Sequence, residues 1–124
     1  MDATRLPKST PEQQADRSTA IQAASTHAAE VPLQTARLCL DAMALAEQAA
    51  ISGNRNSASD AGVAALAARA GVEGAVLNVL INLGSIADAS FRAGCVAEAD
   101  RLVAEARRRC DLVQASVISS FGEK

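Results

Sequence analysis

One apolar seam runs through the last third of the chain. Phe91, Cys95, Ala99, Leu102, Ala106, Cys110, Val113 and Val117 recur at steps of four, four and three. That eleven-residue repeat, near 3.67 residues per turn, keeps a stripe in line along a straight or slightly right-handed helix pairing. The other face holds Arg92, Glu98, Asp100, Arg101, Glu105, Arg108 and Asp111 and reads as solvated. A helix from Asp88 to about Ser119 with one buried stripe needs partners of similar length. Alanine, the strongest helix former, supplies about a quarter of the residues, and no strand pattern or internal repeat is visible. The expected fold is all-α: one domain over residues 1–124, an antiparallel bundle of about four long helices. Trp and Tyr are absent and Phe occurs only at 91 and 121. The core must therefore be thin, built of Ala, Val, Leu and Ile, with closely approaching helices.

The other helices have weaker signatures. Residues 1–9 read as irregular. Thr10-Pro11-Glu12-Gln13 is a helix start, with a Thr cap, Pro at the first helical position and Gln three residues after the cap. That helix is expected to reach about Ala29, and Val31-Pro32 to break or kink it, because proline lacks an N–H and disfavours helix before it. A second helix then runs from Pro32 to Ser52, stopped by Gly53. Leu33, Ala36, Leu40, Met43, Glu47 and Ile51 form one face, and Leu38, Ala42, Leu45 and Ala49 another. Two apolar faces imply packing on two sides. A third helix is expected over Ser57–Ile86, capped by Ser57 with Asp60 three residues on. Its small-residue stripe (Asp60, Ala64, Ala67, Gly71, Gly74, then Asn78 and Asn82) suits a closely approaching backbone or flat ligand. A break near Gly71 into two shorter helices is the competing reading.

Composition excludes several function classes. A net charge of −2 with two aromatic residues is not the basic, stacking surface of a nucleic-acid binder. Arg107-Arg108-Arg109 points in three directions on a helix and reads as solvated. Cys39, Cys95 and Cys110 lack a C-x-x-C spacing, so buried free thiols are expected rather than a disulfide or a metal site. No apolar run is expected to approach the roughly 20 residues of a membrane span, and the N-terminus lacks the apolar core of a signal peptide. No membrane partner is expected, and the cytoplasm is the expected compartment. The single histidine, His27, lies far in sequence from any cysteine or carboxylate cluster.

Chemistry concentrates in Gly53-Asn54-Arg55-Asn56-Ser57-Ala58-Ser59-Asp60. This segment can be a helix connection with good capping residues. It can also be a site, with helix N–H groups, Arg55 and two amides receiving an anionic or heteroaromatic ligand and Asp60 moving a proton. Asn78 lies about 27 Å further along the same helix at 1.5 Å per residue. Asn78 and Asn82 therefore read as hydrogen-bonding residues unless dimer symmetry brings the ends together.

Five pieces in order resemble a known family. They are Leu6-Pro7-Lys8, Ala20-Ile21-Gln22-Ala23-Ala24, Val31-Pro32-Leu33-Gln34-Thr35-Ala36, Asn54-Arg55-Asn56-Ser57-Ala58-Ser59-Asp60-Ala61-Gly62-Val63-Ala64-Ala65-Leu66, and Asn78-Val79-Leu80-Ile81-Asn82-Leu83. Together they are similar to the cyclodeaminase domain family, formiminotetrahydrofolate cyclodeaminases and the related bacterial methenyltetrahydrofolate cyclohydrolases. The resemblance implies a helical bundle that dimerises and acts on one-carbon tetrahydrofolates, with no cofactor beyond that substrate. The reactions would be cyclisation of a 5-formimino group with loss of ammonia, or hydrolytic opening of a 5,10-methenyl bridge. It implies Asp60 as the catalytic group, and Asn54, Arg55, Asn56, Ser57, Ser59 and Lys8 as substrate-binding. Family members carry further helices ahead of the counterpart of Leu6-Pro7-Lys8, one opened by a P-G-G-G-S-like segment. The chain is therefore expected to match the C-terminal part of such a domain. The alternative is a non-catalytic helical module that keeps the fold and self-associates.

Overall fold

The computed structural model describes residues 2–122. A 3-10 turn, Ala3–Arg5, precedes three helices: α1 (Pro11–Ser52), α2 (Ala58–Leu83) and α3 (Ala89–Phe121). The start of α1 is as expected, a Thr10–Gln13 capping box with proline at the first position. Gly53 ends it without a left-handed turn, its N–H bonded to the Ala49 carbonyl. Glycine is needed there because a Cβ would collide with that same carbonyl oxygen. Asp88 caps α3 by accepting from the Phe91 N–H at 3.0 Å.

Three helices replace the expected four, because α1 runs unbroken through Pro32. Proline removes one helical hydrogen bond and its ring crowds the carbonyl four residues back, here that of Ala28. In the fold the Asn82 side chain on α2 donates to the Ala28 oxygen at 3.1 Å, and to its own Asn78 carbonyl at 2.8 Å. A neighbouring helix thus supplies the missing donor, and a tertiary contact overrides the local rule. Asn82 is the hydrogen-bonding residue that the sequence suggested, whereas Asn78 is exposed.

α1 and α2 run antiparallel: Ala28 faces Asn82, and Cys39 faces Gly71. Eleven residues along α1 thus answer eleven in the opposite direction along α2. A Cβ on Gly71 would lie 2.6 Å from the Cys39 sulfur, so the expected close approach is real there. Its neighbour is a side chain rather than a backbone or a ligand. Gly71 does not break α2, and a Cβ on Gly74 would meet open space. The eleven-residue seam of α3 is buried from Cys95 to Val117, with Phe91 and Leu102 half-buried beside it. Among the described residues three clusters form the core, and Met43, Val72, Val79 and Cys110 are its largest fully buried side chains. The three cysteines are free thiols, and burial pushes that of Cys95 up.

Charged pairs set the register of α3. Arg37 holds Glu98 at 2.6 Å, Arg109 holds Glu47 at 3.0 Å, and Arg107 holds Glu73 at 2.8 Å. Arg69 adds a second contact to Glu73 at 2.8 Å. Two of the three arginines read as a solvated run thus bind helices α1 and α2, and Arg108 pairs with Glu105 within α3. The guanidinium hydrogen bonds keep Glu47, Glu73 and Glu98 below the usual carboxylate range. A depressed folded pKa contributes stability above the unfolded value, near 4.3, that is lost as pH falls through the folded value. We expect the melting temperature to hold from pH 7 to about pH 5 and to fall below about pH 4.3, followed by circular dichroism. Glu47→Gln should flatten that acid limb, by about 1 kcal/mol at neutral pH, since that pair is the least exposed of the three.

Against the expectation that no apolar run approaches membrane-spanning length, Arg55–Leu83 is long and apolar enough to cross a membrane by length and composition, with a mean hydropathy of 1.5 over an 18-residue window. Arg69 and Glu73 stand within that span. One face of α2 packs on α1 and α3, and 28% of the apolar window is buried there.

Candidate functional site

The loop between α1 and α2 is built by Asn54. Its side chain accepts from the Asn56 N–H at 3.0 Å and opens a second 3-10 turn, Arg55–Ser57. Ser57 is the residue before α2 but does not cap it. Its backbone sits at φ −106°, ψ 11°, and its hydroxyl donates back to the Asn54 carbonyl at 2.8 Å. The expected Ser57–Asp60 capping box is therefore not formed, because the 3-10 turn aims the hydroxyl backwards. That turn also uses the Ser57 and Ala58 N–H groups on the carbonyls of Asn54 and Arg55. Fewer helix-end amides remain for an anion than the sequence suggested.

Asp60, third in α2, is exposed at one end of a groove of about 550 Å³ between α1 and α2. The groove is walled by Ala42, Ala46 and Ala49 of α1 and by Ala61, Ala64 and Ala67 of α2, with Leu45 and Cys39 along it. Small side chains on both helices leave a shallow apolar slot with one carboxylate and the Ser57 hydroxyl at its mouth. Among the described residues Asp60 forms no ion pair. Asn54, Arg55, Asn56 and Ser59 are exposed and do not line the slot. Behind the site, Gln114 of α3 donates to the Gly62 carbonyl at 2.8 Å and ties the start of α2 to the bundle.

Lys8 is not brought to this cluster. It lies before the first residue of α1, and the Asn54 loop follows the last. An unbroken helix of 42 residues separates them by about 60 Å along its axis. His27 is exposed on α1, roughly 40 Å from the loop, and takes no part.

Sequence reasoning missed the Gln22 clasp at the far end and the partner that Asn82 takes there. Gln22 donates to the Ser85 carbonyl at 3.0 Å and accepts from the Ala87 N–H at 2.8 Å, fastening the α2–α3 turn to α1. Asn82 performs the service at Pro32 described above. A proline inside a long helical pattern is itself the signal for such a donor, since its i−4 carbonyl must find another partner. Pro11–Ile21 extends about 16 Å past the Gln22 clasp. There Arg17 donates to the Thr4 carbonyl at 3.2 Å, which holds the N-terminal turn against α1.

The chain is similar in sequence to known proteins. A family described as Formiminotransferase-cyclodeaminase matches residues 1–101. A methenyltetrahydrofolate cyclohydrolase of Methylorubrum extorquens is 44% identical over 106 residues, 86% of this chain and 51% of that protein. A formimidoyltransferase-cyclodeaminase of Sus scrofa is 37% identical over 113 residues, 91% of this chain and 21% of that protein. The Mus musculus counterpart is 36% identical over 117 residues, 94% of this chain and 22% of that protein. The chain thus spans about half the length of the bacterial relative and about a fifth of the animal ones. Its Asn54–Asp60 loop, the slot beside it and the Pro32–Asn82 contact all fall inside the matched residues, and the chain belongs to the formiminotransferase-cyclodeaminase family.

Proposed function

We propose that the chain takes part in one-carbon tetrahydrofolate interconversion, as a cyclodeaminase or a methenyltetrahydrofolate cyclohydrolase. The observation that carries this reading is the Asp60 carboxylate at the mouth of an alanine-walled slot, in a chain of this family. A flat pterin suits a slot walled mostly by alanine. Asp60 is the proton acceptor. In cyclohydrolysis it takes a proton from the water that adds to the methenyl carbon, after which one C–N bond opens. In cyclodeamination it relays a proton from the attacking nitrogen towards the departing ammonia. Asn54, Arg55, Asn56, Ser57 and Ser59 supply amide, hydroxyl and guanidinium donors for the ligand's polar edge and anionic tail. No cofactor beyond the folate is invoked, and the cytoplasm is the compartment.

The working unit in this reading is a homodimer. Outward-facing Leu38 and Leu45 of α1 and Leu77 and Ile81 of α2 leave an apolar face, with Leu45 69% and Ile81 79% exposed. An isologous dimer covers such a face on both copies at once. A twofold axis near the middle of α1 would also carry the Lys8 of a second copy towards the Asn54 loop. The same exposed face favours the second reading, a non-catalytic module that only self-associates.

Sedimentation equilibrium tests the assembly, and a methenyltetrahydrofolate turnover assay separates the two readings. We expect about twice the 12.7 kDa chain mass at micromolar concentration. A clean monomer would sink the dimer. A dimer that binds no folate, alone or with the unmatched half of the bacterial relative supplied, would leave the interaction module.

A further inference from the structure

We infer that Val31-Pro32 is a latent hinge in α1, held shut by the Asn82 side chain of α2. Each half of α1 is a competent helix by itself. The first has its own capping box at Thr10–Gln13. The second would begin with Pro32 at a first helical position, where the missing N–H costs nothing. The helix is continuous across the junction, where Thr35 also donates to the Val31 carbonyl at 3.1 Å, and the one bond Pro32 cannot make is replaced by that from Asn82 to the Ala28 carbonyl. The first half is otherwise held by the Gln22 clasp and by Ala29, buried with Val79, Leu83 and Ile86.

The latch is accessible. It lies in an open groove of about 530 Å³ lined by Val31, Pro32, Thr35, Asn78 and Asn82. Water or a solute carbonyl can take the Asn82 donor there, and the Ala28 oxygen then has no partner within its own helix. Rotation at this point moves residues 11–29 as a unit. Given the folate reading, it is also the one bend of α1 that would shorten the distance from Lys8 to the Asn54 loop within a chain.

Hydrogen exchange on the full chain tests the hinge without reference to activity. Asn82→Ala should speed exchange of the amides of residues 29–35 by about tenfold, the equivalent of one hydrogen bond, with a smaller change over residues 40–48. Pro32→Ala should make Asn82→Ala silent, because the restored N–H at position 32 takes the Ala28 carbonyl. Unchanged exchange in Asn82→Ala, or a double variant as fast as the single one, would show Asn82 to be a packing residue and overturn the hinge. Should Asn82→Ala alone fail to fold, Pro32→Ala with and without Asn82→Ala decides. Equal protection supports the latch, and an equal loss in that background refutes it.

Discussion

Asp60→Asn is expected to lower kcat on methenyl- or formiminotetrahydrofolate by roughly 10²–10⁴-fold and to leave the helix content unchanged, because a general base is worth that much in rate. Asparagine keeps the size of the side chain and one acceptor oxygen but cannot take up a proton. The structural cost is small because Asp60 is exposed and in no ion pair among the described residues. Only its attraction to the α2 N-terminus is lost, about 0.3–1 kcal/mol. Rate therefore separates the two roles open to this carboxylate. Both roles predict a small drop in melting temperature, but a charge that only serves the helix end predicts full turnover, whereas a base predicts its loss. The assay is the decay of methenyl absorbance, read beside far-ultraviolet circular dichroism. It is run on the chain alone and with the unmatched half of the bacterial relative supplied. Near-full kcat in the variant would remove Asp60 from the chemistry.

How far the sequence could be read depended on whether a signal was local. The α3 seam was legible because a single buried stripe repeats over seven turns, and its burial from Cys95 to Val117 follows the pattern. The Thr10 capping box was legible for the same reason. Pro32 was misread because its compensation comes from Asn82, fifty residues away in sequence. That one contact changed more than the helix count. With a break at Pro32, the first half of α1 would fold back along the second and lay Lys8 beside the Asn54 loop. With α1 continuous, the two lie at opposite ends of the molecule. Grouping Lys8 with Asp60 thus needs a second copy or an open hinge. The carboxylate and its apolar approach were partly legible, since Asp60, Ala64 and Ala67 share the groove side of α2. The opposing wall on α1 was visible only as a second apolar face with no assigned neighbour. Ser57 was misassigned because a 3-10 turn and a direct helix start use the same residue types.

Met43→Ala should lower stability by about 2–5 kcal/mol, the range for truncating a buried large aliphatic side chain to alanine. Met43 is fully buried, among Ala46, Ala58, Ala61, Ala65, Cys110, Val113 and Val117. Most of those neighbours are alanine, and an alanine has no rotamer with which to move into a vacated space. The cavity could shrink only if whole helices moved. The Glu47–Arg109 and Glu73–Arg107 pairs at the same end hold α3 in register against that. Loss should therefore lie in the upper half of the range, a large share of the 5–15 kcal/mol typical of a whole domain. Met43→Leu, which conserves volume, should cost under about 1.5 kcal/mol. Urea melts of the two variants check this. A Met43→Ala midpoint within experimental error of the parent would mean that the helices do close over the space. The alanine-lined core would then be more plastic than its packing implies.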